Sequence, residues 1–141
     1  MTTGWALERG AQLQPDGTVG FAVWAPRAPA VAVQVTSQGA AGTDLDRGAD
    51  GVHRAEIRGL APGDEYVLRL GPGRGRPDPV SRWQPHGVHG ATRIVDPTAF
   101  RWTDASWRGY PLEELVLYEL HVGTFTEAGT FDAVTERLPY L

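Results

Sequence analysis

Glu119 and His121 stand two residues apart in "LYELHV". On an extended chain that spacing puts an acid and an imidazole on one face, with Tyr118, Leu120 and Val122 on the other. Inside a closed parallel barrel the outer face meets apolar helices and the inner face carries polar groups, so the pair could hydrogen-bond and shape an active site. The same geometry serves a structural pair that satisfies itself, which is the preferred reading; neither residue alone makes a catalytic dyad. A second pair, His86 and His89 in "HGVH", has the residue types for a metal. A metal site also needs a third or fourth ligand on a rigid element, and a glycine-flanked loop supplies neither, so no metal is expected. "GPGRGRP" looks like a phosphate-cradling glycine loop but lacks the Lys-Ser/Thr ending, and Pro77 and Pro79 prevent a helix from opening after it. A hairpin end or linker fits it better. Aromatic faces suit the apolar faces of sugar rings. Of the five tryptophans, Trp24 sits in an alternating strand and reads as core. Trp83, Trp102 and Trp107 lie in irregular segments and are the candidates for stacking, with anchoring of those segments as the plainer role. The candidate substrate-binding residues are therefore Trp83, Glu119 and His121, with no catalytic residue or metal ligand assigned.

The elements that must position these residues differ along the chain. From about Trp5 to Leu70 the pattern is short strands and turns. Pro15-Asp16-Gly17 signals a turn, then Val19, Phe21 and Val23 alternate, as do Val31, Val33 and Val35. A break at Gly39 to Gly42 and a short segment around Leu45 follow. "VHRAEI" sets His53, Ala55 and Ile57 opposite Val52, Arg54 and Glu56, and "YVLRL" closes the series. This spacing predicts an antiparallel sandwich with Phe21, Val23, Val33, Val35, Ile57, Tyr66 and Leu68 in its core. From Gly71 the chain is rich in Pro and Gly and shows no period, so it is either disordered or held by packing; Trp83, Val88, Ile94 and Val95 favour packing. No helix signal precedes residue 104, where Asp104 or Ser106 starts at most one turn. Leu115 to Val122 then reads as a near-continuous apolar strand of the kind covered on both faces. Gly123 to Gly129 is a loop, and Thr130 caps a helix with Phe131, Val134, Leu138 and Leu141 on one face.

Composition narrows the function classes. The chain has 141 residues and a formal net charge of −4, so nothing draws it to nucleic acid or to an anionic membrane. No apolar run reaches membrane-spanning length, the N-terminus lacks the pattern of a signal peptide, and there is no cysteine for disulfides or thiolate metal sites. The cytoplasm is the default compartment. All 13 basic residues are arginine and asparagine is absent, which reads as the coding bias of a GC-rich bacterial genome rather than as an arginine-based function.

Several stretches carry a resemblance. "FAVWAPRAPAVAV" resembles the opening of the starch-binding-type sandwich that precedes α-amylase-family barrels. "DPVSRWQPHGVHG" and the run from "IVDPTAF" to "LPYL" resemble the maltooligosyltrehalose trehalohydrolases within that family. Branching and debranching enzymes share the "WAP" strand and the "YE-H-G-F" barrel strand but not the connector Ser81 to Pro85. His86 stands where the relatives are expected to carry a carboxylate. The resemblance implies a mainly β fold. An antiparallel immunoglobulin-like β-sandwich over 1–76 is followed by an irregular connector over 77–113, then over 114–141 by the first βα unit of a truncated (β/α)8 barrel. It also implies a retaining glycosidase that cuts the α-1,4 bond beside a terminal trehalose unit with water, needing no cofactor. The partner would be maltooligosyltrehalose or another α-glucan. Its carboxylates follow the fourth, fifth and seventh barrel strands and have no counterpart here, so this chain alone is expected to be inactive. Self-association through the exposed barrel strand is a further expectation. Two other readings stay open: a self-standing glucan-binding or interaction module, and the N-terminal part of a branching or debranching enzyme.

Overall fold

In the computed structural model, which describes residues 8–39 and 41–141, alternating apolar residues build two antiparallel sheets. Strands β1 (Gly10–Leu13), β2 (Val19–Trp24), β3 (Ala32–Val35), β4 (Thr43–Asp44), β5 (Asp46–Arg47), β6 (Val52–Ile57), β7 (Glu65–Arg69) and β8 (Thr92–Arg93) form them. One sheet has the order β1-β2-β6-β5 and the other β4-β3-β7-β8. Buried Leu45 lies between β4 and β5, where the chain crosses from the second sheet to the first. A single 3-10 turn, Thr36–Gln38, follows β3. The expectation around Trp5 falls outside the described residues.

Strand alternation sends one face of each sheet inward. Val19, Phe21 and Val23 of β2 meet Val33 and Val35 of β3 and Tyr66 and Leu68 of β7, all buried. The Phe21 and Tyr66 rings, one from each sheet, pack edge to face with centroids 5.0 Å apart. From β6, His53 is fully buried, while Ala55 and Ile57 are only partly buried against this core. Trp24 corrects the sequence reading. It is 64% exposed, because β2 buries its odd-numbered residues and residue 24 falls on the outer face.

"GPGRGRP" is a hairpin end: Arg76 exchanges backbone hydrogen bonds with Leu68, 2.7 and 2.8 Å. Gly75 is needed there, since a Cβ would lie 2.4 Å from a Val67 methyl. The following stretch is held by packing, as Ile94 and Val95 suggested, whereas Val88 is 71% exposed and Trp83 is half-exposed. It returns to the second sheet as β8, and Ile94 is buried in the core.

Residues up to Arg101 form one compact unit and those from Trp102 a second. In the second unit, Asp104 to Trp107 is one turn, closed by Trp107 N–H on the Asp104 carbonyl at 2.8 Å. The expected strand Leu115 to Val122 is not a strand. Its backbone has no β-partner among the described residues, and a strand exists only through its ladder. Val122 instead opens the one-turn helix α1 (Val122–Phe125). Helix α2 (Phe131–Arg137) starts as expected, since the Thr130 side chain accepts from Ala133 N–H at 3.3 Å and Asp132 lies in the first turn, but it is shorter: Leu138 is its C-cap and Leu141 lies beyond it.

Candidate functional site

Trp83 belongs to a polar cluster at the outer edge of the second sheet. The register of β7 and β8 puts Glu65 directly opposite Arg93. Opposite charges at facing positions pair across a ladder, and the Arg93 guanidinium bonds Glu65 Oε1 through Nε at 3.1 Å and through Nη2. The same guanidinium lies 4.5 Å from the centroid of the Trp83 ring, a cation–π contact. His86 closes the group, with Nε2 3.1 Å from Glu65 Oε2. The hydrogen bond from Arg93 is the main force holding the Glu65 carboxyl below the ordinary glutamate range, reinforced by the charge of His86.

The loop carrying Trp83 is tied down at several points. Its carbonyl accepts from Arg93 N–H at 2.9 Å and from Ser81 Oγ at 3.1 Å, and Gln84 Nε2 donates to the Val88 carbonyl at 3.2 Å. Under the loop lies a buried network. Tyr66 Oη donates to Asp78 Oδ2 at 2.7 Å, Val80 N–H to Asp78 Oδ1 at 3.0 Å, and Asp78 N–H to Thr92 Oγ1 at 3.0 Å. Arg82 reaches the opposite way, to the carbonyl of Ala11. Burial foremost, then the neighbouring Asp78 carboxylate, pushes the Tyr66 hydroxyl far above the ordinary tyrosine range, so it remains a donor. The result is a half-exposed aromatic ring on a rigid support, with one cation against it and polar groups beside it. Such an arrangement has the parts of a stacking site, an aromatic face with polar groups at its edge. It offers no general acid, because Glu65 is already committed to Arg93 and His86.

The candidates Glu119, His121, Trp102 and Trp107 belong to the chain's second unit. Glu119 and His121 are both exposed and share no hydrogen bond; the His121 carbonyl instead accepts from Thr124 and Phe125 N–H at 3.0 and 2.9 Å and starts α1. Trp102 and Trp107 are exposed there as well. His86 is engaged by Glu65 while His89 points to solvent, and no cluster of three or more His, Asp or Glu able to hold a metal occurs among the described residues. Sequence reasoning missed Glu65, Asp78, Arg82, Thr92 and Arg93. One signal was available: a tyrosine on the buried face of "YVLRL" requires a partner for its hydroxyl, and Asp78 between two prolines is a fixed acceptor.

Known proteins resemble this chain along most of its length. It is 42% identical over 133 residues to the malto-oligosyltrehalose trehalohydrolase of Deinococcus radiodurans, covering 94% of this chain and 21% of that protein. To the enzyme of the same name from Saccharolobus solfataricus it is 39% identical over 132 residues, 94% of this chain and 23% of that one. Among solved structures, a Salmonella typhimurium protein described as a candidate alpha amylase superposes with a TM-score of 0.86 at 34% identity, over 97% of this chain and 23% of its own. No protein-family model matches. The chain thus spans between a fifth and a quarter of the length of the curated relatives it matches. The sequence that folds into this sandwich and its connector is homologous to the malto-oligosyltrehalose trehalohydrolases.

Proposed function

We propose that this chain is the N-terminal portion of a maltooligosyltrehalose trehalohydrolase. That enzyme hydrolyses the α-1,4 bond next to a terminal trehalose unit by a retaining double displacement and releases trehalose. The observation that carries this reading is the match over 94% of the chain to a trehalohydrolase of which it spans only 21%. In this reading residues 1–76 are the immunoglobulin-like, starch-binding-type sandwich and 77–113 the connector. Residues 114–141 correspond in sequence to the first strand–helix unit of the barrel, with its strand unpaired among the described residues. Val116 and Leu117 are 93% and 88% exposed, which fits a segment whose covering neighbours belong to the rest of a barrel. The same exposed segment could pair with a second copy. The catalytic carboxylates lie on later strands, so the role left to this chain is to scaffold the substrate cleft, with Trp83 as its glucan-stacking candidate and Glu119 and His121 facing the barrel interior. The enzyme would work in the cytoplasm without a cofactor.

Expressing the chain with its downstream reading frame and assaying maltooligosyltrehalose tests the reading. Trehalose should be released by the longer protein and not by the 141-residue chain. Release by the short chain after rigorous purification would overturn the assignment of catalysis to later residues. A frame without downstream carboxylate motifs would overturn the reading as a whole and favour a self-standing module.

A further inference from the structure

An open sheet edge offers its unpaired N–H and C=O groups to any other strand. Among the described residues the edge strands are β1 and β5 in the first sheet and β4 and β8 in the second. Strands β4, β5 and β8 are two residues long each, too short to template a partner. Strand β1 has four residues and includes buried Ala11. It is the edge that most needs cover.

The segment Asp78 to Arg82 supplies that cover. Asp78 is buried and held from the second sheet, by the Tyr66 hydroxyl of β7 on its Oδ2 and by Thr92 of β8 on its N–H. A turn follows, with Ser81 N–H on the Asp78 carbonyl and Val80 N–H on Asp78 Oδ1, each at 3.0 Å. Val80 then lies against the bare backbone of β1. Gly10 has φ +82°, and a Cβ on it would come 3.0 Å from a Val80 methyl and 3.6 Å from Asp78 Oδ2. Arg82 ends the segment, with its guanidinium on the Ala11 carbonyl and the rest of the side chain exposed. The Ala11 backbone N–H in turn acts on the Tyr66 hydroxyl.

In an antiparallel sheet each residue turns its N–H and C=O to the same side, so an added strand would bond these same Ala11 groups. Strand β1 already has β2 on its other side, with Ala11 facing Phe21. A strand arriving at the open side would have to displace Arg82 and take water from a cation beside the new ladder. We propose that Asp78 to Arg82 is an edge guard that keeps β1 from pairing with the β1 of a second copy. Arg82 is the charged donor that closes the edge, and the turn anchored by Asp78 positions it. The pairing it prevents is two-fold symmetric, joining two first sheets into one through antiparallel β1 strands. The guard does not depend on the trehalohydrolase reading.

Arg82→Met keeps a long stem and removes the charge and the donors; Arg82→Lys keeps the charge and one donor centre. Sedimentation of the 141-residue chain over about a hundredfold range of concentration should show Arg82→Met moving to dimer well below any association of the parent, with Arg82→Lys following the parent. Hydrogen exchange then locates the contact. Leu13 lies two residues from Ala11 and turns its amide to the same side. In concentrated Arg82→Met its exchange should slow by about tenfold, the effect of one added hydrogen bond, and return to the parent rate on dilution. Amides from Val116 to Val122 report the other exposed segment separately, and those from Val31 to Val35 report the fold. Arg82→Met as monomeric as the parent would overturn the proposal, as would association that slows Val116 to Val122 and leaves Leu13 unchanged. Equal association of Arg82→Met and Arg82→Lys would overturn the role of the charged donor. Loss of protection at Val31 to Val35 in Arg82→Met would show a residue that holds the sandwich together, and would overturn the guard as well.

Discussion

Tyr66 is the residue on which the core and the connector depend together. Its ring packs on Phe21 inside the sandwich, and its hydroxyl leaves the apolar layer to reach Asp78. Tyr66→Phe keeps the ring and removes the hydroxyl, leaving Asp78 Oδ2 buried without its donor while Oδ1 keeps Val80 N–H. The expected cost is about 1–3 kcal/mol, read from denaturant midpoints at unchanged slope. Glu65 makes a prediction about acid. Its folded carboxyl is held below the ordinary glutamate range by Arg93, so its contribution is whole above that range and is lost as pH falls through the lower folded value. Melting curves of the chain and of Glu65→Gln should therefore differ at neutral pH and converge in acid. A difference that persists or widens in acid would show that the cluster does not act through this carboxylate. Trp83 could be picked out from the sequence because an aromatic residue in a Pro- and Gly-rich stretch must pack or bind. Its partners could not, since Glu65 and Arg93 are 28 residues apart and meet only through the register of β7 with a two-residue strand.

At the scale of elements, period-2 alternation made the sandwich readable. Phe21, Val23, Val33, Val35, Tyr66 and Leu68 are buried as that alternation requires, and Ile57 is partly so. Trp24 was misread for a local reason. It is large and aromatic, and those properties outweighed its even position in a strand that buries odd ones. Strand β8 escaped notice because two residues carry no period; its place is fixed instead by Thr92 bonding Asp78 N–H and by Ile94 entering the core. Phe21 sits at the centre of this arrangement, between the sheets and against Tyr66. Phe21→Ala should cost about 3–5 kcal/mol, since a cavity in a two-layer sandwich collapses only partly. Equilibrium unfolding measures it, and a loss under about 1 kcal/mol would mean that the two sheets are not packed through this ring.

For the whole molecule the contrast is between a chain segment that carries its own ladder and one that does not. Val31 to Val35 includes a strand hydrogen-bonded to β4 on one side and β7 on the other, with Val31, Val33 and Val35 all buried. Leu115 to His121 has an apolar sequence of similar strength, yet its backbone makes no ladder with any described residue, and Val116, Leu117 and Tyr118 are exposed. Sequence could show that this segment suits a strand. It could not supply the neighbours, because pairing is a property of the surroundings and not of the strand alone. Exchange protection follows the hydrogen bonds and burial that exist. In a monomeric sample, amides from Val116 to Val122 should exchange close to the rate of an open chain, while those from Val31 to Val35 exchange only with the opening of the sandwich. The rates should separate further as the sandwich is stabilised and draw together under denaturant. Protection of Val116 to Val122 equal to that of Val31 to Val35 at low protein concentration would show that the segment finds a β-partner within its own chain. Protection that rises with concentration would show that it finds one in a second copy.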